Sequence, residues 1–136
     1  MNFWLMKSEP SVYSIDDLAR DGWTSWEGVR NYQARNFLRD SMKKGDQVLI
    51  YHSNADPSGV AGVARVKKEG YPEKAAPWFM VDVEFVKKFP RFVGLEELKS
   101  KKELTGMMVT RRGARLSVQP VEKAHFEVIL QMGRGK

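Results

Sequence analysis

From Phe79 to Val86 the chain alternates, with Phe79, Val81, Val83 and Phe85 on one side and Met80, Asp82, Glu84 and Val86 on the other. A period of two over this length describes a strand half buried against a core, with a mostly polar opposite face. The chain must therefore build a sheet with one covered face. At 136 residues it has the length for one two-layer core, and no internal repeat or low-complexity linker marks a second unit.

Punctuation of the sequence supplies the sheet's partners. Met1 to Lys7 reads as a first strand ending at the turn Ser8-Glu9-Pro10. Ser14-Ile15-Asp16-Asp17-Leu18 has the form of a capping box, so residues 15–20 form a short helix that stops at Gly22. Asp16 and Asp17 are then helix-start charges and not a catalytic pair. Residues 32–43 carry Ala34, Phe37, Leu38 and Met42 at helical spacing, with Arg35, Arg39 and Lys43 on another side and Gly45 as the terminator. Strands at 47–53 and 60–67 flank turn residues 54–59 as a hairpin, and Gly62 signals a bulge or a close approach. Residues 69–77 read as a loop, 95–104 as a charged helix, 107–110 as a candidate strand, 111–115 as a basic turn and 116–118 as a strand. A closing helix after Pro120 carries Val121, Phe126, Ile129 and Leu130. Five or six short strands with peripheral helices and no βαβ rhythm predict an α+β fold with a curled, partly closed sheet.

Composition narrows the chemistry. Without cysteine, disulfides and thiol catalysis are excluded, and His52 and His125 lie too far apart in sequence to suggest a metal site. No cofactor is implied. A net charge of +6 raises the prior for a nucleic-acid partner. No apolar run approaches the ~20 residues of a membrane span, and the first residues leave no room for a secretion signal. The expectation is a monomer without membrane contact, cytoplasmic, or nuclear in a eukaryotic cell.

Residues 23–39 concentrate two tryptophans, one glycine, two asparagines and three arginines. Gripping one base of a nucleic acid takes an aromatic face, polar groups for the base edge and cations for phosphate. Trp26, Trp78 and Tyr51 are the stacking candidates. Ser8, Asn31, Ser53 and Asn54 can meet an edge, and Lys7, Arg30, Arg111 and Arg112 can meet phosphate. Each has a plainer reading: tryptophans in small domains are mostly core, with Trp4 the clearest case and Trp23 another, and the arginines of 111–115 suit a solvated turn. His52-Ser53 does not make a nucleophile and base, because neighbours on a strand face opposite ways. His125 reads as a packed helix residue. No nucleotide-loop or hydrolase signature is present, so binding is favoured over catalysis.

Five ordered motifs carry a family resemblance: residues 3–10, 26–36, 51–54, 78–83 and 115–120 together resemble an EVE domain. The resemblance implies one such domain over residues 1–136, with a PUA-like pseudobarrel of five or six mixed strands flanked by short helices. It also implies a pocket for a nucleobase, often a modified one, in DNA or RNA. On this resemblance Lys7, Ser8 and Glu9 stand on the pocket rim, Trp26 forms an aromatic wall, and Gly28 and Asn31 shape the adjoining loop. His52 and Ser53 lie near the floor, with Arg111 or Arg112 facing phosphate. The chain departs from the family pattern where Tyr71-Pro72 reaches Trp78 through only five residues. The expected function is a non-enzymatic reader of a flipped, modified base. The alternatives are a nucleic-acid-processing enzyme or hydrolase using His52, Glu9 or Glu27 as acid or base, and a protein-binding adaptor.

Overall fold

The computed structural model describes residues 1–111 and 116–134. Its sheet has the strands β1 (Phe3–Ser8), β2 (Trp23–Trp26), β3 (Gln47–His52), β4 (Gly59–Pro72), β5 (Phe79–Gly94) and β6 (Val118–Val121). They lie in the order β2-β5-β4-β3-β1-β6, and the sheet does not close into a barrel. β1 runs parallel to β3 and antiparallel to β6; the other pairings are antiparallel. Register shifts at four places along β4 and β5 introduce bulges, which bend and curl a sheet.

Each face of the sheet carries an apolar cluster. On one face α1 (Ile15–Asp21), α2 (Tyr32–Asn36) and a π-turn (Phe37–Ser41) bring Ile15, Leu18, Ala34 and Leu38 onto Val48, Ile50, Val81 and Val83. On the other, α3 (Leu95–Ser100) and α4 (Lys123–Met132) bring Leu98, Phe126 and Ile129 onto Leu5, Leu49 and Val63. Trp4 is core, as its alternation predicts, and His125 is buried in α4. The Ser14 capping box forms, and Gly22 ends α1 at φ +82°.

Several expectations are corrected. Residues 69–72 are not loop: β4 continues to Pro72, paired through Tyr71 to Met80 and Pro72 to Phe79. Gly70 is there for packing, since a Cβ at that position would lie 2.1 Å from the Leu38 carbonyl oxygen. Gly62 combines both expected roles, a register shift and an approach in which a Cβ would stand 2.4 Å from the Lys87 carbonyl oxygen. Residues 107–110 form a 3-10 turn at Met108–Thr110, closed by the Thr110 hydroxyl on the Met107 carbonyl, and not a strand. The last strand falls at Val118–Val121 and includes Pro120, which an edge strand tolerates. Residues 23–26, which carry no strand signal of their own, are an edge strand on β5. Trp23 is correspondingly exposed, under the Lys67 ammonium, and is not packed.

Asp46 anchors this arrangement. Its buried carboxylate accepts from the Asn2 amide, the Trp4 indole and the Lys43 amide, each at 3.0 Å. Asp46→Ala strands three donors and is expected to cost about 3–5 kcal/mol of unfolding free energy. Urea denaturation measures it, and a loss below about 1 kcal/mol would contradict the anchor role.

Candidate functional site

The end of β1, the turn after it and the last three residues of β2 border a groove of about 270 Å³, lined by Lys7, Ser8, Val12, Tyr13, Thr24, Ser25, Trp26 and Glu27. That is just under the range of about 300–1,000 Å³ typical of drug-sized ligands, and suits a single ring system. Trp26 packs its inner side on the core and stands edge-on to Tyr13, with ring centroids 6.5 Å apart at 86°. The tryptophan therefore offers an aromatic wall. A larger hollow of about 470 Å³ lies between Arg91, Glu97 and Gln131 and has no aromatic side chain in its lining.

Two hydroxyls of the groove have defined polarity. Ser8 Oγ donates to the Tyr13 carbonyl at 2.6 Å, and Tyr13 Oη donates to Asp21 Oδ2 at 2.8 Å. Each hydroxyl has one proton and each proton is already given, so neither can donate to a ligand; Tyr13 Oη is also engaged by the Thr24 side chain, which leaves Ser8 Oγ as the acceptor offered to a ligand. Asp21 is held by Arg20, and that guanidinium together with Tyr13 keeps its carboxyl below the usual range. On the same rim, burial lowers the Lys7 ammonium pKa, and its nitrogen sits 5.8 Å from the Tyr51 ring centroid.

Of the residues picked from sequence, Lys7, Ser8 and Trp26 line the groove together. Glu9 accepts from the Asn54 side-chain amide at 3.1 Å. Ser53 donates its backbone amide to the Ser8 carbonyl, tying the end of β3 to the rim. The others have different work. Tyr51 is buried in the second core cluster, with 4% of its surface exposed, so it presents no stacking face. Asn31 caps α2, its Oδ1 accepting from the Ala34 amide at 3.0 Å. Gly28 adopts φ +86° and donates its amide to Glu73. Arg30 binds the same nearly buried carboxylate through both terminal nitrogens, at 2.9 and 3.0 Å, so its charge is largely spent. Trp78 is not among the groove's lining residues; its ring lies under Arg30 and beside Tyr32. Arg111 donates to the Gly106 carbonyl and borders a different hollow, with Pro120 and His125. Arg112 lies outside the described residues.

His52 has a structural task. Its Nε2 accepts from the Ile15 amide at 3.1 Å, at the start of α1, so the lone pair a general base would use is occupied. Sequence reasoning missed Tyr13, Thr24 and Glu73. The first two needed β2 to be recognised, and Glu73 lies in the segment read as loop, where its contact with Gly28 and Arg30 across more than forty positions leaves no local signal.

The EVE domain family model matches residues 2–132. The chain belongs to the EVE domain family. Mouse (Mus musculus) thymocyte nuclear protein 1 is 41% identical over 167 aligned positions, covering 96% of this chain and 73% of that protein. The structure of human THYN1 protein in complex with 5-methylcytosine-containing DNA superposes with a TM-score of 0.89 at 38% identity, over 100% of this chain and 99% of that one. The YTH domain of Zygosaccharomyces rouxii MRB1 protein shares the fold at a TM-score of 0.64 and 16% identity, over 98% of this chain and 86% of that one. The EVE domain here is thus an open, curled variant of the PUA-like fold. Among the described residues, no helix is long and apolar enough to cross a membrane.

Burial pushes the His52 imidazole below its ordinary pKa of 6.5. The unfolded chain then takes up the proton first on acidification. The stabilisation from neutral His52 is complete above about pH 6.5 and is lost as the pH falls from there through the depressed folded value. NMR titration is expected to place His52 below 6.5, and His52→Gln to flatten the acid limb of stability against pH. A midpoint above 6.5 would contradict the capping role.

Proposed function

We propose that this EVE domain is a non-enzymatic reader that takes one flipped, modified base of a nucleic-acid strand into the groove against Trp26. The observation that carries the reading is the groove itself: one aromatic wall beside hydroxyl oxygens of fixed polarity, in a family member 38% identical to a human protein held in complex with 5-methylcytosine-containing DNA. Extruding a base costs a few kcal/mol, and stacking on an aromatic wall offsets it. The proposed site is Lys7, Ser8, Tyr13, Thr24 and Trp26, and the proposed partner is DNA or RNA. The occupied lone pair of His52 argues against His52 as the base of a hydrolase. A reader of this kind works where nucleic acid is, in the cytoplasm or a nucleus.

Trp26→Ala is expected to weaken binding to a duplex with one 5-methylcytosine by about ten- to a hundredfold, the value of one lost stack. Fluorescence anisotropy measures it, and unchanged binding by a folded variant would remove Trp26 from the site.

Because Ser8 Oγ presents an acceptor, the position beside it favours a base edge with an exocyclic amino group, such as cytosine N4 or adenine N6, over a keto oxygen. 5-Methylcytosine and thymine share the pyrimidine ring and the 5-methyl group and differ in the 4-substituent, amino against keto, and in the proton that thymine carries on N3. Placed opposite an abasic site, which equalises the flipping cost, thymine is expected to bind at least about tenfold more weakly, as one mismatched hydrogen bond implies. Ser8→Ala should narrow the gap. Equal binding by the parent protein would refute the polarity argument.

A further inference from the structure

Outside the groove, four side chains stack in a row. The Arg30 guanidinium lies 5.2 Å from the Trp78 ring centroid, Trp78 and Tyr32 are 5.0 Å apart at 30°, and the Arg35 guanidinium lies 5.2 Å from the Tyr32 ring. The two arginines differ in charge balance. Arg30 is neutralised by Glu73, whereas Arg35 donates only to uncharged oxygens, Asn36 Oδ1 and the Pro77 carbonyl, each at 2.9 Å. No carboxylate pairs with Arg35 among the described residues. Tyr32 is 60% exposed and belongs to neither core cluster, so the fold makes little use of its ring.

The loop after β2 links the row to the groove. Glu27 borders the groove, the next residue Gly28 shares the Glu73 carboxylate with Arg30, and Arg30 covers Trp78. A strand whose base enters the groove must run on in both directions, and the loop that leads away from the groove ends at an exposed aromatic ring beside a guanidinium without an ion pair among the described residues. That pairing suits a base face and its phosphate.

We propose that Tyr32 and Arg35 form a second, modification-independent contact for the strand: the Arg35 guanidinium swings off the Tyr32 ring to meet a phosphate, and the nucleotide next to the flipped one stacks on the face it leaves. Trp78 backs the Tyr32 ring, and Arg30, fixed by Glu73, holds Trp78 in place. The inference rests on the proposed reading of the groove, but divides its labour: Trp26 and Ser8 read the base, and the row supplies affinity that does not depend on the modification.

The test uses the full chain and three fluorescent probes: a short DNA duplex with one central 5-methylcytosine, its unmodified twin, and the unmodified single strand. Tyr32→Ala is expected to weaken all three by similar factors of about five to fifty, leaving the ratio between the two duplexes unchanged. Tyr32→Phe, which keeps the ring, should bind like the parent, and Arg35→Gln should reduce the salt slope of log affinity by about one. Parent-like affinity in a folded Tyr32→Ala variant, or a change confined to the duplex ratio, overturns the second contact, and an exposed protein-binding patch then becomes the better account of the row. If the parent binds modified and unmodified duplexes equally while Tyr32→Ala weakens both, the second contact stands and the base-reading function falls. If the parent discriminates and Tyr32→Ala changes nothing, the reverse holds; a parent that binds no probe refutes both.

Discussion

A single buried carboxylate determines where the first strand enters the sheet. Asp46 gathers the Asn2 amide, the Trp4 indole and the Lys43 amide, and its own carbonyl accepts from Val66 at 2.8 Å. These bonds join the chain's beginning, the end of the π-turn and the β3–β4 pair at one point. β1 is thereby set between β3 and β6, parallel to the former, and its far end, Lys7-Ser8, arrives beside β2 and Trp26. The groove depends on that placement, because its two sides come from strands that never pair with each other.

The basic character of the chain is distributed with similar economy. Arg20, Arg30, Arg39, Arg65 and Arg91 are each held by a carboxylate, so much of the positive charge is locally balanced. Exposed ion pairs of this kind add little stability. They do decide which cations remain free to act at longer range. Arg30 illustrates the consequence: its guanidinium ties the 27–31 loop to Glu73 and fixes Trp78, a positioning task that its place in a basic, aromatic stretch does not reveal.

Much of the fold was legible along the chain. The alternation in 79–86, the capping box at Ser14 and the stop at Gly22 are local signals, and each element formed where they fall. The resemblance of five motifs supplied the family. The errors share one cause. Gly70 reads as a loop breaker because its closeness to the Leu38 carbonyl is a contact across thirty residues, and Pro120 reads as a strand end because its edge position is a property of the sheet. β2 lacks a pattern of its own, since a four-residue edge strand is defined by the partner it pairs with.

By itself, the sequence determined the residue types for a base-binding site, the strand and helix periods, and membership of a family with this fold. Periodicity and capping act over a few residues, so they are written locally. Only the tertiary structure decided which candidates meet. It kept Lys7, Ser8 and Trp26 at one groove, added Tyr13 and Thr24, buried Tyr51 and made Asn31 a helix cap. It also gave the hydroxyls of Ser8 and Tyr13 their direction, because the acceptors that take their protons are a backbone carbonyl and a carboxylate positioned by the fold. A side chain's chemistry is fixed by its type; the partner that consumes or leaves free its donors is fixed by packing.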